Sequence, residues 1–372
     1  MKSGGTAIFG LADDTFTEEY RIYNDTYHGQ VIKMIFDVRT GRTVPFCFDV
    51  ACEHIPSDYK DEDDKSSCVA YDFGVFPIYL NKQCLYYIQS DGLYSANLQG
   101  ENRKLITQFQ KPYSISSCIY TDEAAYIAYT IPYDILSSGE GKNKQWFSGQ
   151  AKEKPEAGVL RVPYSGEAEE VIYASDEYYD MQIAELWYHN GNVSFQVIGL
   201  ERPSKFTLCA PESEEWKSMV EEERKHTIVE ALNYSVVNKS VSSLYRKQTY
   251  CTIYFFSDVY GILTDNMTLE LYRYNGEFVA ETEISLYNIY RSDHGIYACE
   301  WGTRDYVLLS QDNGKELKRE FKIKDFVITA IVGKSIYGVS SVTEEYVPAY
   351  ISEDDFWNGN TEGMIEYSFT KE

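Results

Sequence analysis

One hairpin recurs along this chain, and the recurrence restricts the fold more than any other feature. "DGLYSANLQGENRKLI" (Asp91–Ile106) aligns without a gap with "AGVLRVPYSGEAEEVI" (Ala157–Ile172). Each reads as a glycine, an apolar strand, a small turn ending in glycine, and a strand closing on an aliphatic pair. Weaker copies are "VIKMIFDVRTGRTVPF", "LELYRYNGEFVAET" and "YVLLSQDNGKELKRE", and the turn glycines of the set are Gly41, Gly100, Gly166, Gly276 and Gly314. A hairpin returning about every 40–50 residues is the signature of propeller blades. Each blade is a small sheet that cannot bury both faces alone; a ring of blades covers the faces and protects the edges.

Between the copies the chain keeps the all-β rhythm. Runs such as "AAYIAYTI" and "CTIYFFSDVYGIL" alternate at period two, with turn residues about every 8–12 positions. Two insertions interrupt it. Residues 137–156 are polar, rich in Gly and Lys, and carry Trp146 and Phe147. Residues 211–232 hold a helical pattern: Ser213 suits an N-cap, Glu214 and Glu215 suit the positive end of the dipole, and Trp216, Met219, Val220 and Glu223 share one face. Without the insertions, about 330 of the 372 residues remain, enough for seven blades of about 40–45 residues. The expected fold is therefore an all-β, seven-bladed β-propeller forming a single domain over 1–372, with six or eight blades as alternatives. The C-terminal "GMIEYSF" has no strand after it. Ring closure is thus expected to borrow a strand from the N-terminal "TAIFGL" or "EYRIYN", so that both termini share a blade.

Composition narrows the partners. The net charge is −24, which repels phosphate backbones and anionic lipid heads, so nucleic acid and membrane surfaces are poor partners. Aromatics at 15% argue against disorder, and the 34 tyrosines suit half-buried strands with one polar tip. No apolar run is long enough to span a bilayer. The opening "MKSGGTAIFG" reads like a mature N-terminus.

The segment Val44–Tyr71, "VPFCFDVACEHIPSDYKDEDDKSSCVAY", holds Cys47, Cys52, His54 and Cys68. Cys3His is a recognised tetrahedral zinc set, and Cys52 and His54, two residues apart on an extended segment, point the same way. A structural zinc would anchor the ends of the acidic loop before Cys68. The alternatives are a disulfide among Cys47, Cys52 and Cys68, worth about 3 kcal/mol in the chain-entropy model, or unlinked thiols. A catalytic zinc needs an open position, which four ligands do not leave. Cys84, Cys118, Cys251 and Cys299 sit in apolar strand-like runs and read as core.

The "FCFDVACEH…CVAY" segment followed by "LYYIQSDGLYSANLQGENRKLI", over Phe46–Ile106, resembles a family of surface lipoproteins of Gram-positive anaerobes, β-propellers of unknown function. The acidic loop here is longer than the family's usual one. The resemblance implies an extracellular, cell-surface protein, lipid-anchored in its full-length precursor, with the anchoring cysteine cut away from this chain. It implies no activity.

No nucleophile elbow, phosphate loop, HExxH or CxxC is present, and no catalytic residue is assigned. His28, His189, His226 and His294 are scattered and read as strand-end residues. "DEDD" (Asp61–Asp64) and "SEDDFWNGN" offer oxygens for calcium without a standard spacing, and read as solvated loops. Trp146, Phe147, Trp216, Trp301 and Trp357 fall on expected loops, insertions or strand ends, as packing anchors or as an aromatic platform. The expected function is a non-catalytic binding or scaffold propeller for a glycan, peptide or partner protein. The alternatives are a carbohydrate-active enzyme (glycoside hydrolase or lyase) using the funnel, and a purely structural surface protein.

Overall fold

The computed structural model describes residues 14–27, 30–47, 52, 54, 68–71, 73, 77–81, 84–97, 100–131, 154–203, 213–248, 250–290, 292, 294–303, 305–320, 326–340 and 347–367. Their strands form seven four-stranded antiparallel sheets, each a run of four consecutive strands. Blade 1 runs from β1 (Thr15–Phe16) through β2 (Tyr20–Tyr27) and β3 (Gln30–Asp37) to β4 (Arg42–Pro45). Blade 2 runs from β5 (Ile78–Leu80) to β8 (Lys104–Gln108), blade 3 from β9 (Ser114–Tyr120) to β12 (Glu170–Ser175), and blade 4 from β13 (Tyr179–His189) to β16 (Ser240–Gln248). Blade 5 runs from β17 (Thr252–Phe255) to β20 (Phe278–Glu281), blade 6 from β21 (Leu286–Tyr290) to β24 (Glu316–Glu320), and blade 7 from β25 (Phe326–Val332) to β28 (Ile365–Glu366). First strands of successive blades approach one another, as β9 does β13 and β21 does β25. Fourth strands such as β16 and β20 are mostly exposed. The ring therefore has its first strands inside, and the seven-bladed propeller read from the repeat is the observed fold.

The repeat is the third-to-fourth-strand hairpin. Gly41, Gly100, Gly166, Gly276 and Gly314 close that turn in blades 1, 2, 3, 5 and 6, all with positive φ, which glycine adopts without a Cβ clash. Blade 4 has Lys239 there, at φ 49°. Blade 7 replaces the turn with a short helix.

The core lies between blades. One cluster joins Ala128, Val159 and Tyr126 of blade 3 to Phe195, Val197 and Leu186 of blade 4, and corresponding clusters fill the other seams. Tyrosine suits these seams because its ring is buried while its hydroxyl reaches a neighbouring blade's backbone. Tyr20 donates to the carbonyl of Leu80, Tyr260 to Leu244 and Tyr306 to Phe326, each at 3.1 Å. Of the four thiols expected in the core, Cys118, Cys251 and Cys299 are buried, while Cys84, just before the second strand of blade 2, is only half-buried.

Ring closure corrects the expectation of a shared blade. "EYRIYN" lies in β2 of blade 1, whose four strands all come from the N-terminal region, and blade 7 is complete from the C-terminal region. "TAIFGL" lies outside the described residues. Side chains close the ring instead: Tyr337 donates to the carbonyl of Thr17 at 2.7 Å, Ser335 to that of Glu18 at 3.0 Å, and Arg21 Nη1 to the Tyr367 hydroxyl at 2.6 Å. A seam between two complete blades can be sealed by packing, because each ladder is already complete within its own blade and the blades meet face to face.

Both insertions emerge from second-to-third-strand connections of neighbouring blades. The first joins β10 (Ala124–Thr130) to β11 (Ala157–Pro163), the second β14 (Asn192–Leu200) to β15 (Thr227–Ser235). They therefore leave the same face of the ring. The second insertion is shorter than read, because 227–232 already belong to β15. Its helix α1 (Glu214–Arg224) begins where expected, Ser213 accepting the Trp216 N–H at 3.1 Å.

Candidate metal centre

The segment joining blades 1 and 2 leaves the ladder beside β3. The Phe46 N–H donates to the Lys33 carbonyl at 2.8 Å, and the chain turns at once, with the Cys47 N–H on the Pro45 carbonyl at 2.6 Å. Phe46 packs edge-on against Phe73, and Phe73 edge-on against Tyr87 of blade 2. After Cys68, a single 3-10 turn (Val69–Tyr71) packs on β3. Cys47 and Cys52 pack half-buried against the same apolar cluster that buries Cys68. The described residues of the segment are thus wedged into the seam between the first two blades.

Within it Cys47, Cys52, His54 and Cys68 converge. One donor atom from each lies within 4.8 Å of all the others. The four residues named from spacing come together, and the group can hold a metal ion. No pair of the described cysteines is at disulfide distance, so the disulfide alternative does not describe this structure. His54 Nδ1 faces Cys68 Sγ at 3.4 Å, close to the roughly 3.5 Å edge of a tetrahedron with usual zinc–sulfur and zinc–nitrogen bond lengths. The backbone assists. His54 adopts φ 55°, a left-handed conformation costly for a non-glycine residue. It is held there by the Tyr71 hydroxyl, which donates to the His54 carbonyl at 2.9 Å. In that conformation the His54 N–H donates to Cys52 Sγ at 3.4 Å.

Electrostatics point the same way. Burial pushes the Cys68 thiol up; the Ala70 N–H opposes this by favouring the thiolate, while the neighbouring Cys47 and Cys52 add to the rise. Three crowded sulfurs in an apolar seam disfavour negative charge unless a cation joins them. N–H donors aimed at sulfur are the outer-shell contacts that orient thiolate ligands.

The aromatic candidates do not form one site among the described residues. Trp146 and Phe147 lie outside them, as do His28, Cys209 and the acidic run 61–64. Trp216 is half-buried on α1; it does not line the cavity of about 180 Å³ that Leu200, Pro203, Met219 and His226 form beside the helix. Trp301 follows the second strand of blade 6, is 62% exposed, and meets Tyr287 edge-on at 5.7 Å. Trp357 lies on the opposite face, in the third-to-fourth-strand connection of blade 7, packed on Phe356 and Tyr297. It ends helix α2 (Glu353–Trp357), formed by the "SEDDFWNGN" stretch. There Asp355 accepts from the Ser352 hydroxyl and from Asn360 Nδ2, both at 2.6 Å, so its carboxylate serves the cap. Glu353 of the same helix is buried and accepts from the Tyr297 hydroxyl. Among the described residues His189 is the buried histidine, at the end of β13, with Nε2 2.8 Å from Ser194 Oγ and its ring on Tyr274; His226 is half-buried and His294 exposed.

No family model and no curated protein matches the chain. Among solved structures it is similar to an oligogalacturonate lyase from Vibrio parahaemolyticus (10% identity, TM-score 0.45, 92% of this chain and 88% of that one). It is also similar to dipeptidyl peptidase 4 of Porphyromonas gingivalis (10%, 0.47, 99% of this chain but 54% of that one) and to an uncharacterised protein of Listeria monocytogenes (10%, 0.45, 77% and 80%). Likenesses at this level carry no activity to the chain, and the ring rests on its own strand order. No helix of the described residues is long and apolar enough to cross a membrane.

Proposed function

We propose that the chain is a non-catalytic binding or scaffold propeller of the cell surface, held together at its first seam by a structural zinc. The observation that carries the reading is the convergence of three cysteines and one histidine inside the seam. Four protein ligands fill a tetrahedral shell and leave no position for substrate, so such a metal stabilises rather than reacts. Binding falls to the ring face from which the two insertions emerge, since loops on a rigid frame concentrate recognition. Trp301 stands exposed on that face, Trp216 belongs to the second insertion, and Trp146 and Phe147 belong to the first. Aromatic faces suit sugar rings and cationic side chains, and a net charge of −24 repels anions. The partner class is therefore an uncharged glycan or a basic peptide or protein surface.

The test is a binding screen of neutral glycans and basic peptides against wild type and a Trp146→Ala/Trp216→Ala/Trp301→Ala variant. Binders that lose affinity in the variant support the reading; binders held at full strength show that these rings only pack. Metal analysis of protein prepared without chelator is expected to give about one equivalent of zinc, lost in Cys52→Ser.

A further inference from the structure

Lys33 is among the most deeply buried side chains, 1% exposed, beside the buried apolar Ile32, Met34 and Phe36 of the same strand. The register fixes where it points. Arg21 and Phe36 are cross-strand partners, as are Tyr23 and Met34, and this face meets Tyr367 of blade 7. The alternate pairs, Ile22 with Ile35 and Asn24 with Lys33, must then face the other way, toward blade 2. That is the side on which Tyr20 reaches Leu80 and Phe46 packs on Phe73. The Lys33 carbonyl holds the Phe46 N–H, one residue before Cys47, and the 3-10 turn after Cys68 packs on the same strand. The buried Lys33 side chain thus enters the seam that holds the ligand group.

A divalent ion bound by three thiolates and a neutral imidazole carries a net charge of −1. Burying that charge in an apolar seam is costly unless an opposite charge lies near. We infer that Lys33 supplies this charge, as a positioning residue that raises the affinity of the Cys47/Cys52/His54/Cys68 centre for a thiophilic dication without ligating it. The inference rests on the metal reading above.

The experiment measures Zn2+ affinity of the full chain by competition with a chromophoric chelator, alongside the visible spectrum of the Co2+ form. Lys33→Met is expected to weaken zinc binding about tenfold or more, in the range typical of outer-shell changes, while the Co2+ spectrum keeps its tetrahedral bands. Lys33→Arg, which keeps the charge, is expected to stay nearer wild type. Unchanged zinc affinity in Lys33→Met overturns the inference and leaves the metal reading standing. Absence of zinc binding in wild type overturns both. Should Lys33→Met fail to fold, Lys33→Gln keeps a polar end and carries the same two outcomes.

Discussion

Tyr367 lies flat on Phe36, ring centroids 3.9 Å apart and planes 8° from parallel, although the two residues stand near opposite ends of the chain. Around this stack Arg21 bonds Tyr367 through Nη1 and Asp14 through Nε at 3.0 Å, and Phe16 packs on Tyr337. This is the closure of the ring, made by side chains where no strand is shared. Tyr367→Ala removes a buried aromatic and is expected to cost about 3–5 kcal/mol. Tyr367→Phe keeps the stack but removes the Arg21 partner, and is expected to cost about 1–3 kcal/mol. Urea unfolding checks both. Equal losses for the two variants would mean that the hydroxyl, not the stack, holds the seam.

His189 gives the fold an acid sensitivity. Burial lowers its pKa to about 4, against hydrogen bonds that favour the charged form. The unfolded chain therefore binds a proton at higher pH than the folded one. Stability from this group is full above about pH 6.5 and falls as pH drops toward 4, by about 3 kcal/mol in all. His189→Gln is expected to flatten the stability curve between those limits. A variant whose urea midpoint falls as steeply as wild type's over that range would assign the acid sensitivity to other groups.

The ring was legible because five of its hairpins need a residue at positive φ and use glycine for it, leaving a mark at a regular place in each copy. The two blades without that glycine left none: Lys239 takes the left-handed turn in blade 4, and α2 replaces it in blade 7. Helix α2 has only five residues, too few for periodicity, and its signal was Ser352 followed by Glu353, Asp354 and Asp355. Closure was not legible, since nothing local to Phe36 or Tyr367 announces a contact between them. The four ligand types were legible from spacing alone. The Tyr71 bond that sets His54, and the burial of Lys33 beside the segment, required the register of β3 and the path of the chain after Pro45.

Two turn glycines separate backbone strain from packing. Gly276 has φ 85° with open space around it, whereas a Cβ on Gly100, at φ 77°, would stand 2.7 Å from Val69 Cγ2. Gly276→Ala is expected to cost about 1–2 kcal/mol, the left-handed penalty alone. Gly100→Ala is expected to cost about 1–3 kcal/mol more, because Val69 must shift. Val69 directly follows Cys68, so Gly100→Ala is also expected to weaken zinc binding while Gly276→Ala does not. Calorimetry and chelator competition on the pair decide it; equal stability losses would show that the 3-10 turn yields freely.

Metal should govern which thiols react. Cys118, Cys251 and Cys299 are buried in the ring, whereas Cys47 and Cys52 are only half-buried. Thiolates bound to an ion are poor nucleophiles, and removing the ion would free them to react. Chelation is expected to lower the melting temperature, because an ion that binds only the folded state stabilises it by mass action. It should also accelerate alkylation at Cys47 and Cys52 while the buried thiols stay slow, with mass spectrometry of the labelled peptides as the readout. Zinc restored before labelling should slow both sites again. Identical alkylation rates with and without chelator, at an unchanged melting temperature, would mean that the four side chains converge without holding a metal.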